Sequence, residues 1–338
     1  MKIKQVDIRW REDFPIFARE SFLKAVGDDY GWLGGFAESG ELRCILPYTI
    51  IRKSFLRMVR FRVETIPIAQ NFNAGEEKDF LNRAMELFRS MGADMIMPAT
   101  TNTIFRTYPD GADAAPYGTY IIDLARPEDV LWMNIDRILR QNIKAASKTG
   151  VLIREARERS DEAYHMIKDT FQRSKIPFMS LASFDRYLSG LGENGKILVA
   201  NYQNIPQSYV VFAFSNHSVY AIYAGNAIDQ HKGANKLLYW EAIRLFQKIG
   251  CRQYDFVGAR INPKRGSKQE ALSLFKKRFG ATLKEGYIWK YSINPLKYQL
   301  YSLIVRLRFR GDIVDAERHK LKSFGLTERA EGIQTNDR

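Results

Sequence analysis

The sequence predicts an α+β protein of two tandem domains, each with a mixed, mostly antiparallel sheet flanked by helices. Its 338 residues exceed the roughly 250–300 residues at which a single hydrophobic core stops growing. The segment "AMELFRSMGA" at 84–93 returns as "AIRLFQKIGC" at 242–251, with four identical residues and no gap. In both copies a helical pattern ends at a glycine and leads into a short apolar strand. These observations indicate one duplication of a domain of about 150 residues.

The first half of the chain alternates helical and strand patterns in a simple order. A helix is followed by a hairpin with its turn at 38–40, a further strand, the repeated helix and two strands. In chain order these patterns lie at 18–26, 31–52, 61–69, 84–93, 94–98 and 117–124.

The second half repeats this order. A helix at 161–176 precedes three strands, at 196–202, 207–214 and 218–225, which are separated by the turn-like "QNIPQ" and "SNHS". After the repeated helix come the strand "QYDFVG" at 253–258, a basic helix within 266–281 and the strand "YIWKYSI" at 287–293. The order of helix, antiparallel strands, helix, strand, helix and strand resembles that of a GNAT acyltransferase domain.

The predicted boundaries follow from these patterns. We expect a first GNAT-like domain at 1–125, a helical link at 126–150, a second GNAT-like domain at 151–293, a C-terminal helical extension at 294–325 and a disordered tail at 326–338. In the link, Arg140, Lys144 and Lys148 are spaced by four residues, so they lie along one helix face. Arg140 and Lys144 are therefore candidates for substrate binding. Alternatively, they are cations placed favourably near a helix C-terminus.

The composition excludes several classes of protein and favours anionic partners. The net charge is +14 and the pI is 9.6, which suits nucleic acid, phosphate-bearing substrates or lipid headgroups. Cys44 and Cys251 have no CxxC spacing and the four histidines are scattered, so we expect no metal site. The start lacks the apolar core of a signal peptide, and no apolar stretch approaches the ~18 residues of a membrane span. We expect a cytoplasmic protein.

A candidate pyrophosphate-binding stretch, "QHKGAN" at 230–235, precedes the repeated helix. GNAT domains hold coenzyme A with a Gln/Arg-x-x-Gly-x-Gly/Ala stretch, which Gln230 and Gly233 match. Asn235 stands where the family has glycine or alanine, and a side chain there crowds the approach to the backbone. These three residues are the cofactor-binding candidates. The alternative is that Asn235 is an ordinary N-cap.

Three further motifs resemble the FemABX-type aminoacyltransferases, which build peptidoglycan cross-bridges with tandem GNAT-like domains. They are a Leu-x-Trp helix at Leu238 and Trp240, a Tyr-Asp-Phe-x-Gly strand end at 254–258, and a Phe-Lys-x-x-Phe-Gly stretch at 275–280. The segment 123–151 is similar to the family's link between domains. The resemblance implies transfer of an aminoacyl group from charged tRNA to an amine of a peptidoglycan precursor, with no bound cofactor.

The resemblance also implies roles for individual residues. Lys276 matches the lysine that relatives place at the transfer site, where it would stabilise the developing oxyanion. Asp255 would orient the amine or accept its proton, or it only ties down the neighbouring loop. The substrate-binding candidates here are Phe275, Arg278, Arg260 and Tyr254, the last with a core aromatic as its alternative. The expected partners are aminoacyl-tRNA and a phosphate-bearing or lipid-linked cell-wall precursor.

A basic helix is predicted at 294–310. Leu296, Leu300, Leu303 and Leu307 share one face, while Lys297, Arg306, Arg308 and Arg310 supply cations without an acid. This composition is typical of a helix lying on an anionic membrane surface, so the protein could be peripheral to the inner face of the membrane. The alternative is that the leucine face packs against the second domain.

Two other functions remain open from the residues alone. One is an N-acyltransferase that uses acetyl-CoA or another acyl-CoA and acts on a surface sugar or another amine, since the fold is shared and "QHKGAN" is one position from the coenzyme A pattern. The other is a non-catalytic nucleic-acid-binding protein, whose charge serves only to hold phosphates.

Overall fold

The computed structural model describes residues 1–309 and 311–323, without the side chains of 308, 309, 322 and 323. Thirteen strands lie within these ranges. In chain order they are β1 (Lys2–Val6), β2 (Asp29–Phe36), β3 (Leu42–Lys53), β4 (Leu56–Arg60), β5 (Ile66–Pro67), β6 (Met95–Ile96), β7 (Asp113–Asp123), β8 (Leu152–Glu155), β9 (Gly195–Tyr202), β10 (Ile205–Phe214), β11 (Val219–Asn226), β12 (Gln253–Asp255) and β13 (Thr282–Ser292).

Ten α-helices accompany the strands in the described part of the chain. They are α1 (Glu20–Val26), α2 (Ala74–Ser90), α3 (Glu128–Asn134), α4 (Arg137–Lys148), α5 (Ser160–Arg173), α6 (Leu181–Leu191), α7 (Ala234–Ile249), α8 (Lys268–Arg278), α9 (Pro295–Phe309) and α10 (Ile313–Ser323). No helix in the described ranges is both long and apolar enough to cross a membrane.

The chain divides into two compact units. Of the described residues, unit 1 contains 1–7, 28–118, 285–309 and 311–323, and unit 2 contains 8–27 and 119–284. Strands β7 and β13 each begin in one unit and end in the other. The two units are therefore not consecutive halves of the chain.

Unit 1 has a sheet in which β1, β2, β3 and β4 pair antiparallel in that order, β6 joins β4 in parallel, and β13 pairs antiparallel with β6. Helix α2 covers this sheet with buried residues that include Phe80, Ala84 and Phe88. It begins at a capping box, in which Asn73 and Glu76 exchange side-chain-to-backbone hydrogen bonds. Helices α9 and α10 belong to the same unit, where Lys290 pairs with Asp312 and Asp315 at 2.8 and 2.6 Å.

Unit 2 has an antiparallel ladder from β8 through β9 and β10 to β11, followed by β12 parallel to β11 and β7 antiparallel to β12. Alternate residues of β9 face two different cores. Leu198 and Ala200 pack with α4 and α7, whereas Ile197 and Val199 pack with α5 and α6. This alternation has the period of two expected for a sheet covered on both faces.

The internal repeat is confirmed by the structure. Helices α2 and α7 carry the matched pairs Ala84 with Ala242 and Phe88 with Phe246, and all four side chains are buried. Each helix is followed by a left-handed glycine and by a strand, β6 or β12, that pairs in parallel with the last antiparallel strand of its sheet. The predicted α+β fold class, a mixed and mostly antiparallel sheet with flanking helices in each unit, is likewise confirmed.

The predicted domain boundaries differ from the structure in three places. Residues 8–27 belong to unit 2, because Phe17 packs on Tyr220, Phe22 packs on Tyr187, and Ser21 donates a hydrogen bond to the Gly190 carbonyl. The link at 126–150 forms α3 and α4, which are part of unit 2. Residues 285–293 belong to unit 1.

The leucine face of α9 is exposed, so the alternative that it packs against the second domain is wrong. Leu296 and Leu307 are 79% and 78% exposed, and Leu300 and Leu303 are 45% and 55% exposed. The predicted tail at 326–338 lies outside the described residues, as do Arg310 and the side chain of Arg308.

Candidate active site

The loop that follows β12 has an unusual backbone. Val257 has φ +53° and Gly258 has φ +68°. A β-branched residue rarely adopts the left-handed region, which costs on the order of 1–3 kcal/mol and persists only where neighbouring interactions hold it. The residues that hold this turn are the two predicted catalytic residues, Asp255 and Lys276.

Asp255 ends β12 and is only 5% exposed. Its Oδ1 accepts a hydrogen bond from the Thr119 hydroxyl and another, at 2.7 Å, from the backbone N–H of Val257. Burial raises the pKa of the Asp255 carboxyl to about 6, although these two hydrogen bonds and the charge of Lys276 lower it. The carboxylate is thus tied to the turn and is still able to change its charge near neutral pH.

Lys276 lies on α8 and holds the turn from the other side. Its Nζ donates hydrogen bonds to the carbonyl oxygens of Val257, at 2.9 Å, and of Gly258. Burial lowers the pKa of the Lys276 ammonium to about 8, against the opposing charge of Asp255. An ammonium has three N–H donors. With two directed at these carbonyls, the third can serve a substrate oxygen.

Helix α8 is positioned by its two ends. The Ser267 side chain accepts a hydrogen bond from the Glu270 N–H at 3.2 Å and so caps the first turn. At the other end Phe279 is 1% exposed, and the Arg278 carbonyl accepts a hydrogen bond from the Asp136 N–H at 2.8 Å. These contacts explain the Phe-Lys-x-x-Phe-Gly pattern. Phe275 and Phe279 anchor the helix by packing, and this orients Lys276 towards the turn.

An aromatic cluster lies beside the turn. Phe275 packs against Tyr239 and Phe279 with ring centroids 5.3 and 5.1 Å apart, and Phe256 packs against Tyr254 at 4.9 Å. Tyr254 is fully buried, so its assignment as a substrate-binding residue is wrong and its core alternative is correct. Phe275 is half-buried.

Three cations near α8 form a basic surface of unit 2, which we call the 232/236/278 cluster after Lys232, Lys236 and Arg278. Burial and the like charges of Lys232 and Arg278 lower the pKa of Lys236. Bringing like charges together is unfavourable unless an anion offsets it. Arg278 was predicted to bind substrate, whereas the two lysines, which flank "GAN" four residues apart, were not.

The structure gives Arg140 and Lys144 other contacts. Arg140 Nη1 donates hydrogen bonds to the carbonyls of Trp132, Met133 and Ile135 at 3.3, 2.6 and 2.8 Å, so it caps the C-terminus of α3. The Lys144 ammonium lies 5.7 Å from the centre of the Trp132 ring. Both side chains contact α3 from α4, and their binding of substrate stays a prediction. Arg260 is half-buried in the loop that follows the turn.

The "QHKGAN" stretch leads into α7 and packs against α4. Gly233 precedes α7 with φ +88°, and a Cβ at this position would lie 2.6 Å from the Asn142 carbonyl oxygen of α4. This glycine is therefore required for packing against α4. The Oε1 of Gln230 is buried without a hydrogen-bond partner. Gly233 is the N-cap of α7 and Asn235 lies inside the first turn, so the alternative role of Asn235 as N-cap is wrong.

One residue of the site was missed by the sequence reasoning. Thr119 holds Asp255 from 136 positions away along the chain, and no local pattern links the two. Within the described ranges, no group of three or more His, Cys, Asp or Glu side chains could hold a metal ion.

Comparisons with known proteins define the class of fold. No protein-family model matches the sequence, and no curated protein does. A solved structure of FemX is similar over 89% of this chain and 99% of FemX, with a TM-score of 0.65 and 13% identity. A conserved protein of unknown function from Bacteroides thetaiotaomicron is similar over 86% of this chain and all of its own, with a TM-score of 0.51 and 9% identity. The chain therefore has the fold of FemX, in agreement with the predicted tandem GNAT-like architecture.

Proposed function

We propose that this protein is an aminoacyltransferase that moves an aminoacyl group from charged tRNA to an amine of a peptidoglycan precursor peptide. The observation that carries the proposal is the strained turn at 257–258, clamped between Asp255 and Lys276. Strain held in place by hydrogen bonds to two ionisable groups is typical of a functional site. The FemX-like fold and the motif resemblance support this choice of substrates.

In the proposed reaction, the amine attacks the ester carbonyl of the aminoacyl group directly. A C–N bond forms, the ester C–O bond breaks, the amine loses a proton, and the released ribose oxygen takes one up. No covalent enzyme intermediate is needed, so most of the barrier reduction comes from positioning and from stabilisation of the oxyanion. Lys276 supplies that stabilisation through the N–H that is not directed at the turn.

Asp255 acts in this scheme as a positioning residue. Its carboxylate is 5% exposed and its Oδ1 already accepts two hydrogen bonds. Ionised, it favours the charged form of Lys276 and fixes the turn whose carbonyls hold that lysine. This assignment replaces the predicted role of Asp255 as the acceptor of the amine proton.

The 232/236/278 cluster provides the anion-binding part of the proposal. The backbone of tRNA and a lipid- or nucleotide-linked precursor both carry phosphates, which lysine and arginine recognise through charge-assisted hydrogen bonds. An approaching phosphate would relieve the repulsion that lowers the pKa of Lys236.

The test is transfer of label to cell-wall precursors from either charged tRNA or acetyl-CoA. We expect ribonuclease-sensitive transfer from tRNA, and a loss of ~10²-fold or more in Lys276→Ala, the scale of removing one oxyanion donor. Lys248→Ala, which removes an exposed cation from the end of α7, is the matched control and should retain its rate.

The other outcomes are equally informative. Label moving only from acetyl-CoA would replace the proposal with an acyl-CoA-dependent enzyme. Salt-sensitive tRNA binding without any transfer would indicate a nucleic-acid-binding protein. Equal rates in Lys276→Ala and wild type, with both folded by circular dichroism, would remove Lys276 from the site.

A further inference from the structure

A cavity of unit 2, of about 440 Å³, lies at the edge of its sheet. It is bounded by the end of α4, the edge strand β8, the turn between β9 and β10, and the start of α5. None of its lining residues belongs to the turn at 257–258, to α8 or to the 232/236/278 cluster. The proposed aminoacyl transfer therefore gives this cavity no role.

The charge of the cavity lining is positive. Arg154 and Arg159 line it, and no acidic residue does. Arg159 is paired with Glu162 through its Nε at 2.8 Å, so its charge is largely offset. Arg154 lies exposed on β8, next to Leu152 and opposite β9. Among the described residues no acidic side chain pairs with Arg154, so its guanidinium is suited to bidentate binding of an oxyanion.

The polar lining also contains an unsatisfied acceptor. Asn201 lines the cavity, and its Oδ1 is buried without a hydrogen-bond partner. Leaving a buried polar atom unpaired costs about 1–3 kcal/mol. Because the terminal torsion of asparagine is broad, the amide can turn towards the cavity and accept a hydrogen bond from a ligand O–H or N–H.

The shape of the cavity adds a rigid aromatic wall. Tyr202 lines it and stacks on His231 with ring centroids 4.2 Å apart, and the His231 Nε2 lies 3.2 Å from the Thr149 hydroxyl. The adjoining turn, Gln203 and Asn204, has both residues at positive φ, as in a tight two-residue hairpin. These contacts hold the wall in place before any ligand arrives.

We propose that this cavity binds a small phosphate ester of a sugar or nucleoside, with its phosphate on Arg154, a hydroxyl on Asn201 and its ring against Tyr202. The volume falls in the range of roughly 300–1,000 Å³ that small-molecule sites occupy, and it far exceeds the needs of a bare phosphate ion. The polar lining matches a hydroxyl-rich ligand better than an apolar one.

The test is calorimetric titration of the full chain with glucose 1-phosphate and with adenosine 5′-monophosphate. Glucose, adenosine and inorganic phosphate serve as the partial ligands. We expect saturable binding of at least one ester. Its sugar or nucleoside alone, and inorganic phosphate alone, should each bind at least about fivefold more weakly, because each lacks one of the hydrogen bonds that the ester makes.

Two variants and a control assign the binding to this cavity. Arg154→Gln and Asn201→Leu should each weaken it by about fivefold or more. Asn201→Leu should leave the melting temperature of the free protein unchanged or higher, because it removes an unsatisfied buried acceptor. Arg186→Gln removes an exposed arginine of α6 outside the cavity and should bind like wild type.

Three results would overturn the proposal. They are the absence of saturable binding for both esters, equal affinity for inorganic phosphate alone, and wild-type affinity in Arg154→Gln. Because the titration measures binding without turnover, it is independent of whether the chain transfers an aminoacyl group.

Discussion

Asp255 and Lys276 are ionisable groups whose pKa values have moved towards neutrality from opposite sides. Burial raises the pKa of Asp255 from 3.8 to about 6 and lowers that of Lys276 from 10.5 to about 8. In both cases the charged form loses hydration that the surrounding residues only partly replace. Both groups are charged together only in the interval between these values.

The rate of transfer should therefore have a bell-shaped pH dependence. It should rise as Asp255 ionises through about pH 6 and fall as Lys276 loses its proton through about pH 8. The measurement is kcat/KM for transfer from charged tRNA, from well below pH 6 to well above pH 8. A rate that still rises steadily above pH 8 would exclude the lysine as a cationic stabiliser.

Substituting Thr119, which donates a hydrogen bond to Asp255, should shift only the acid limb of the pH profile of kcat/KM. Thr119→Val removes a hydrogen bond that lowers the pKa of Asp255, so the acid limb should shift to higher pH by up to about one unit. Thr282→Val, at an exposed threonine that donates to the Ile121 carbonyl at 3.3 Å, is the control. An unchanged acid limb in Thr119→Val would assign that limb to another group.

In unit 1, Glu77 is a carboxyl with no exposed surface, held by the Arg106 backbone N–H at 2.9 Å. Burial raises the pKa of Glu77 from 4.5 to about 7, although the charge of Arg106 opposes this. The folded protein therefore binds the Glu77 proton more tightly than the unfolded chain does. This contribution to stability is present below pH 4.5 and is lost as the pH rises through about 7.

Glu77→Gln should flatten the dependence of stability on pH. Wild type should lose up to roughly 3 kcal/mol of unfolding free energy from this group between about pH 4 and pH 8, and the variant should not. Urea unfolding across this interval measures the difference. Glu86→Gln, at an exposed position of the same helix, should behave as wild type. Parallel curves for all three proteins would contradict the assignment.

At the scale of elements, the two ends of α7 use glycine for different reasons. Gly233 and Gly250 both have left-handed backbones, with φ +88° and +99°. A Cβ at Gly250 would meet nothing within 4 Å, whereas one at Gly233 would lie 2.6 Å from the Asn142 carbonyl oxygen. At Gly250 only the left-handed backbone conformation disfavours a side chain. At Gly233 the close approach of α4 disfavours it as well.

Alanine at these two positions should separate the two effects. Gly250→Ala should cost about 1–2 kcal/mol, the penalty of a left-handed alanine. Gly233→Ala should cost roughly 1–3 kcal/mol more, because α4 must move to admit the methyl group. Denaturant unfolding of both variants provides the comparison. Equal losses of unfolding free energy in the two variants would mean that α4 moves away from this contact without measurable cost.

At the scale of the whole molecule, a net charge of +14 accompanies an exposed apolar helix face. Helix α9 has exposed leucines and no acidic residue, and Phe55, 56% exposed, lies beside it, since Lys297 Nζ donates to the Phe55 carbonyl at 3.2 Å. Apolar side chains flanked by cations suit an anionic bilayer surface. We therefore keep peripheral membrane contact as a prediction, and a lipid-linked precursor would be met there.

Sedimentation with vesicles of anionic lipid tests this prediction. The protein should sediment at low salt and less at high salt, because screening weakens the attraction of its charge. Leu300→Ser with Leu303→Ser should reduce the bound fraction several-fold, because burying the two exposed leucine side chains in the bilayer would contribute about 3 kcal/mol or more. Leu272→Ser with Leu274→Ser, at exposed leucines of α8, is the control. Equal loss in both pairs would indicate a non-specific effect.

Much of the fold could be predicted because local sequence patterns specify its helices and strands. The helix-and-glycine repeat, the apolar strand runs of β9 and β10, and the basic helix α8 each arise from neighbouring residues. The placement of residues 8–27 could not be predicted this way. Phe17 packs on Tyr220 and Phe22 packs on Tyr187, both far along the chain, and only the assembled core makes those contacts.

The resemblance to a known family indicated Asp255 and Lys276. The sequence by itself determined the α+β class, the duplication and the cationic character of the chain. These properties depend on residue type and short spacing. The tertiary structure alone decided that Thr119 holds Asp255, that Arg140 and Lys144 serve α3, and that the leucine face of α9 is exposed. Each of these contacts depends on which segments, distant in sequence, pack together and exclude water. The sequence pattern of one segment does not specify its packing partner.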